Sequence, residues 1–549
     1  MSRRLPTLST GRIAVAGAVL LAAVLLVLAP ASVVFALVFL GALLYAVHTG
    51  RRHALSPDGT VRAAVFLVTA AGLALPALLG LITTSSQTLD SLLQPNAAFR
   101  KDLALLALVV VGTVAAARFW PARFQDRSFV LLMVTLAVLA KIAYVSVVQA
   151  EPVSDFASMW RLSSSLLEEG LEATRSGLEG NRWAHFERIL PFLFPVRTAF
   201  GPGPAAYAVP NVLLAAATSL LTYRLARRWF GRTAARVALV LSLLAVETTI
   251  IAEIPTHEIP GAFYTLLALT LFQIAWDLQA QGRSRAALLV GAAFGLSILV
   301  LDFQRSTGSV MLLSTTLLGL GLAVAGEPSQ EGERPEGGKR WTRLRRGLPL
   351  VLVPVLAFAL ANAGVRGADL RTPPEERAKG AGIGLASATD SAGDGSYVYY
   401  ANNYLWRYGL SGVNWQRLAL VKLASDTHYH PGARLIHYLR KARALFTLGT
   451  QTYFYLYEAK FLEGPIDPVA GRIYALCVGF TSLFLAALLV ALARIWDLPA
   501  LRLPTLAPLF FLATFSAVLL LLAEIQPRYM FPIWYIGAIY IGALFGRSA

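Results

Sequence analysis

The sequence has almost no cysteine. Its one thiol, Cys477, lies inside an apolar run, so an intrachain disulfide is excluded and cysteine usage says nothing about compartment. Charge is also scarce: 14% of the 549 residues are Asp, Glu, Lys or Arg, against 56% hydrophobic. A water-soluble domain carries about a quarter charged residues, so the main solvent of this chain is lipid. Acidic residues are the rarer sign, 31 against 48 Lys and Arg, for a formal net charge of +17. There is no convincing internal repeat. MSRRLP and the apolar run after it are not followed by a small-residue cleavage site and a soluble domain, so they read as a first anchor rather than a signal peptide.

What the sequence does have is a succession of apolar runs, each long enough to cross a hydrocarbon core of about 30 Å. They fall at 12–29, 31–48, 61–83, 103–119, 128–149, 204–222, 233–252, 258–276, 286–301, 308–325, 347–364, 472–493, 503–523 and 529–546. The expectation is an all-α polytopic membrane protein with about fourteen spans. The excess basic charge sits in alternate connections: Arg51, Arg52 and Arg62; Arg118, Arg123 and Arg127; Arg224, Arg227, Arg228, Arg232 and Arg236; and Arg334 to Arg346. This positive-inside pattern orients both termini to the cytoplasm and accounts for the charge without nucleic acid.

In that orientation two long segments, 150–203 and 365–471, lie outside the cytoplasm. In the first, Phe156, Met159, Trp160, Leu166 and Leu167 share a face at helical spacing. A second stretch carries Trp183, Phe186, Ile189 and Leu190 beside Arg182, Arg188 and Arg197. Helices with an aromatic and a basic face lie in the membrane interface. In the second segment, Tyr400, Trp406 and Trp415 belong to an aromatic cluster fit for an interfacial belt or for stacking on sugar rings. A basic amphipathic helix is expected at 432–446, with Leu435, Ile436, Leu439, Ala442 and Phe446 inward and Arg434, Arg440, Lys441 and Arg443 outward.

The residues fit for chemistry gather on the outer side. Asp155 follows a span at the depth of a lipid headgroup. A carboxylate there can accept a proton or hold a divalent cation against a phosphate, and it can equally serve as a first-turn acid behind the Ser154 N-cap. Glu258 stands in the short turn AEIPTHEIP beside Glu253 and His257, either as a second acid of that site or as a mark of the membrane boundary. Arg528, Arg305 and Lys441 are outer-face cations of the kind a phosphate needs, and a helical pair of Arg528 with Glu524 is the alternative. His428, His430 and His437 lack a further acid at ligand spacing, so they do not define a metal site. Lys141 and Glu247 fall inside spans, where charges are functional or paired with each other.

These motifs resemble the GT-C glycosyltransferases. They are a span ending in SDF, the run from FPVRTAF (194–200) to FGRTAAR (230–236), THEIP (256–260), HPGARLIHYLRKARALF (430–446) and EIQPRYMFP (524–532). The branch they resemble most is the family 39 group of protein mannosyltransferases and aminoarabinose transferases. Two departures stand out. Phe156 follows the loop aspartate where the mannosyltransferases have glutamate, and LFPVR (193–197) stands where the aminoarabinose enzymes have lysine-proline-proline.

The resemblance implies an inverting transferase that moves a sugar from a polyprenyl-phosphate carrier to a glycan, lipid or protein acceptor, on the extracytoplasmic face of the cell membrane. Asp155 and Glu258 would be its acids, with Mg or Mn as a cation they could hold. Arg528, Lys441 and Arg305 would take the donor phosphate, and Tyr400, Trp406 and Trp415 the sugar or acceptor. It divides the chain into accessory helices (1–122), a catalytic core (123–364) with the loop 150–203, a second outer loop (365–471) and closing helices (472–549). The alternative from another class is a flippase or transporter of lipid-linked oligosaccharide, whose working charges would line a cavity between helices.

Overall fold

The structure is a computed structural model that describes residues 69, 73–83, 97–121, 126–147, 154–176, 190–203, 205–304, 307–325, 338–367, 421, 428, 431–447, 467–495, 503–522 and 527–546. All of them belong to the second of two compact units, Val68–Ala549. The spans expected at 12–29 and 31–48 lie outside the described residues.

Among the described residues every regular element is helical. In chain order these are α1 (Ala97–Phe119), α2 (Asp126–Val147), α3 (Ser154–Glu168), α4 (Gly170–Ser176), α5 (Leu190–Phe200), α6 (Ala205–Leu244), α7 (Val246–Ile250) and α8 (Glu258–Ala280). There follow α9 (Ser284–Gln304), α10 (Thr307–Ala325), α11 (Gly338–Gly367), α12 (Pro431–Leu445), α13 (Asp467–Ile495), α14 (Leu503–Leu522) and α15 (Ile533–Ala543). Six of the described helices, within α2, α6, α8, α9, α11 and α13, are long and apolar enough to cross a membrane. Four shorter apolar helices accompany them. The chain is an all-α multi-pass membrane protein. Helices fit because each satisfies its own backbone polar groups where no water can. Leu131, Leu132, Leu136 and Leu139 of α2 face outward, since lipid gives a leucine no reason to hide.

Helix α6 is 40 residues long, about 60 Å if straight, which is twice a bilayer core. It is not straight. Gly231 breaks it with φ 86° and ψ −178°, and Asn211 donates to the carbonyls of Ala252 and Ile254, at 3.2 and 3.3 Å. Residues 211 and 252 can meet only if the chain reverses midway, at Gly231. The two spans expected at 204–222 and 233–252 are thus the arms of one hairpin. That backbone conformation is essentially reserved for glycine, so Gly231→Ala is expected to cost about 1–3 kcal/mol, read as a lower melting midpoint of the purified protein.

The reversal end of the hairpin is rich in ion pairs. Asp126 receives Arg236 through two donors, with Arg232 Nε at 3.5 Å and Arg227 Nη2 at 3.9 Å. Asp277 takes Arg228 bidentately at 2.9 and 2.8 Å, and Gln273 links Asp277 to the indole N–H of Trp229. Helix α15 is hydrophobic all round and correspondingly enclosed, with Trp534 and Tyr535 fully buried. It lies against the second arm of α6 so closely that a Cβ on Gly542 would stand 2.4 Å from the carbonyl oxygen of Ala234.

Lys141 and Glu247 are both buried and close enough to attract each other, but neither is the other's hydrogen-bond partner. Lys141 donates to Thr248, and Thr481 donates to Glu247 Oε1 at 2.8 Å. The expected direct pair is instead two charge–hydroxyl contacts. These tie α2 to α7 and α7 to α13.

Candidate active site

The end of the bundle opposite the Asp126 cluster carries the acids expected on the outer face. After α7 a 3₁₀ turn, Ile251–Glu253, leads into extended Ile254, and α8 begins at Glu258. Thr256 Oγ1 accepts the Glu258 N–H at 3.4 Å, and an acid in the first turn suits the helix dipole. The Asn211 amide, bonded to the carbonyls on either side of Glu253, holds this turn down on α6.

Glu258 is 2% exposed, and its Oε1 lies 3.5 Å from Arg528 Nε and 3.9 Å from His257 Nε2. Arg528 stands in the 3₁₀ turn Pro527–Met530 that precedes α15. Its guanidinium carbon is 5.7 Å from the ring centroid of Phe156 in α3 and 6.0 Å from that of Tyr529. Three segments distant in sequence therefore meet at one arginine: the start of α3, the start of α8 and the turn before α15. Asp155 immediately precedes Phe156, in the first turn of α3; its side chain lies outside the described residues. The described partner of Arg528 is thus Glu258, and Glu524 lies outside the described residues.

A small cavity of about 10 Å³, room for about one water, opens beside this pair. Glu258 and Arg528 line it together with Thr265 of α8, Leu301 of α9, Thr307 of α10 and Phe531. Its walls are mostly apolar, and Glu258 and Arg528 are the charged residues among them. Arg305 lies outside the described residues, in the two-residue gap between α9 and α10. Tyr400, Trp406 and Trp415 lie outside them too.

Lys441 is completely buried on α12, one turn after the equally buried His437. Helix α12 packs against α14 and against the Arg528 turn. This corrects the expected facing. Leu435 and Ile436, assigned inward, are exposed, whereas Lys441, assigned outward, is enclosed. The amphipathic rule presumes water outside. Elsewhere the expected facing holds, with Ala442 and Phe446 buried and Arg440 and Arg443 exposed, so the departure is confined to Leu435, Ile436 and Lys441. Among the described residues no group of three or more His, Cys, Asp or Glu could hold a metal ion, and His428 is exposed, well apart in character from buried His437.

Glu253 is a feature that sequence reasoning passed over as a neighbour of Glu258. It is 3% exposed, and among the described residues neither carboxylate oxygen has a hydrogen-bond partner. Burial pushes its pKa from the ordinary 4.5 up to about 9. The folded chain thus holds this proton more tightly than the unfolded chain does. The stability it contributes is fully present below about pH 4.5 and is lost as pH rises toward 9. The melting midpoint of the purified protein should fall across that window, and Glu253→Gln should flatten the fall.

Fold and site together define a helical membrane protein with a charged, apolar-walled cavity at one end of its bundle. Residues 196–321 match the family model described as dolichyl-phosphate-mannose-protein mannosyltransferase. The match begins in α5 and runs through α10, so it contains the Gly231 hairpin, Glu258 and the cavity walls of α8–α10. Over this stretch, less than a quarter of the chain, the protein is similar to that family of glycosyltransferases. No curated protein matches the sequence. Among solved structures the chain is similar to ArnT from Cupriavidus metallidurans, crystallised with undecaprenyl phosphate. The identity is 14%, over 76% of this chain and 78% of that one, with a TM-score of 0.33.

Proposed function

We propose that this protein is an inverting glycosyltransferase that takes its sugar from a polyprenyl-phosphate carrier at the extracytoplasmic face of the membrane. The observation that carries the reading is the meeting of Glu258 and Arg528 at 3.5 Å, with the residue after Asp155 beneath the same guanidinium. Inverting transfer needs a base for the acceptor, a cation for the departing phosphate, and a dry place between them.

Asp155 takes the proton of the acceptor hydroxyl as that oxygen attacks the anomeric carbon. The bond from that carbon to the phosphate oxygen breaks on the opposite face, so the anomeric configuration inverts. The polyprenyl phosphate leaves with its electron pair, and Arg528, with Lys441 and Arg305, meets the growing charge. Glu258 orients Arg528, whose guanidinium carries five N–H donors in a planar fork. Tyr400, Trp406 and Trp415 offer stacking faces for the sugar or acceptor. A divalent cation, Mg or Mn, would find carboxylate ligands in Asp155 and Glu258 and would supply Lewis-acid help at the phosphate. The alternation of basic connections supports an orientation with this end outside and both termini inside.

The test offers the purified protein, in lipid nanodiscs, a panel of polyprenyl-phosphate sugars with sugar, lipid and peptide acceptors, with and without chelator. Expected is consumption of one donor with a new glycosidic bond of inverted configuration. A donor that crosses the bilayer unchanged, or remains intact with every acceptor, would overturn the reading in favour of a transporter.

A further inference from the structure

The loop helix α3 is the element that carries Asp155, and the contacts that fix its rotation lie one turn further on, at Trp160. Four contacts converge there. The Arg197 guanidinium carbon of α5 stands 4.6 Å over the indole ring. The Tyr207 ring, at the start of α6, meets the indole edge to face with centroids 4.9 Å apart at 72°. The indole N–H donates to the carbonyl of Pro202 at 3.1 Å, and Arg197 Nη1 donates to the carbonyl of Trp160 at 3.3 Å.

Tyr207 is fully buried and belongs to the matched core, so it is a fixed reference rather than another loop residue. Phe156 and Trp160 are four residues apart and therefore lie along one face of α3. Each has an arginine over its ring: Arg528 over Phe156, Arg197 over Trp160. Met159 and Leu162, four and seven residues beyond Asp155, are buried, so the Asp155 position falls on the side of α3 turned to the protein.

We infer that Trp160, clamped between Arg197 and Tyr207, is a positioning residue that sets the rotation of α3 and thereby the placement of Asp155 against Arg528. The inference rests on the proposed transferase reading. A roll of about 20° moves a side-chain tip about 6 Å from a helix axis by about 2 Å, and a misplacement of about 1 Å is enough to cost about 10²-fold in rate. The Phe156 ring lies under the Arg528 guanidinium. The Trp160 clamp adds two hydrogen bonds and two ring contacts that a simple apolar anchor would not need.

Two measurements on the full-length protein in nanodiscs test this. With the donor that wild type consumes, Trp160→Ala is expected to lower kcat about 10²-fold with donor KM within about threefold. Trp160→Phe, which keeps a ring for Arg197 and Tyr207 but loses the bond to Pro202, is expected to recover most of the rate. In an Asp155→Glu background, Trp160→Ala should cost little more, because both changes act on one carboxylate. A kcat within threefold of wild type, or losses that multiply in the double variant, overturns the clamp.

The second measurement needs no turnover. Spin labels on Glu169→Cys and Gln281→Cys, in a Cys477→Ser background, should give a narrow distance distribution that Trp160→Ala broadens and Trp160→Phe leaves narrow. An unchanged distribution overturns the inference even if the alanine variant is poorly active. A broadened distribution in a protein that consumes no donor upholds the clamp and removes the transferase reading instead.

Discussion

Asp155→Asn is expected to reduce sugar transfer by about 10²–10⁴-fold while leaving the protein folded and inserted. The asparagine keeps the size and the capping ability of the aspartate but cannot accept a proton. If Asp155 served only as a first-turn acid of α3, asparagine would lose about 0.3–1 kcal/mol of dipole interaction and no chemistry. Turnover with a matched donor separates the two roles. A variant within threefold of wild type ends the assignment of the base, whereas a collapse of kcat at unchanged donor KM supports it. Asp155→Glu, one methylene longer, should sit between.

The second large effect belongs to Arg528. Glu258 is buried, and Arg528 Nε is 3.5 Å from its Oε1. Removing one member of such a pair leaves the other stranded, at about 3–5 kcal/mol. Arg528→Ala should therefore unfold at lower temperature and also lose donor binding. The double variant Arg528→Ala with Glu258→Gln should regain much of the stability, since the stranded carboxylate is gone, yet remain inactive. Arg528→Lys keeps the charge but not the planar fork, so it should retain part of the stability and raise donor KM. Full activity in the stable double variant would show that the pair is structural only.

The parts of the fold that were legible in the sequence are those set by hydropathy. The runs at 258–276, 286–301, 347–364 and 472–493 each lie within one described helix, and the described part of 128–149 belongs to α2. The hairpin of α6 was legible too, because arginines mark its turn and Gly231 permits it. The site was legible only as a set of outer-face charges. Glu258 and Arg528 are far apart in sequence, and no periodicity says that they meet. The same holds for Trp160: its partners lie 37 and 42 residues away, across a chain reversal, so its helical spacing marked only a buried face. For Lys441 the pattern misled. A helix wheel tells which residues resemble one another, not which side the solvent is on.

That last point bears on how the protein is handled. With Leu435 and Ile436 exposed beside Arg440 and Arg443, and His437 and Lys441 enclosed beside Ala442 and Phe446, α12 presents both apolar and basic side chains outward. Its orientation depends on a surrounding of acyl chains that favours the leucine and isoleucine. A short-chain or partly stripped detergent shell weakens that preference along one side only. Solubilised preparations should therefore lose donor handling before the bundle melts, and lipid added back should restore it. For this protein the bilayer is part of the candidate site's scaffolding.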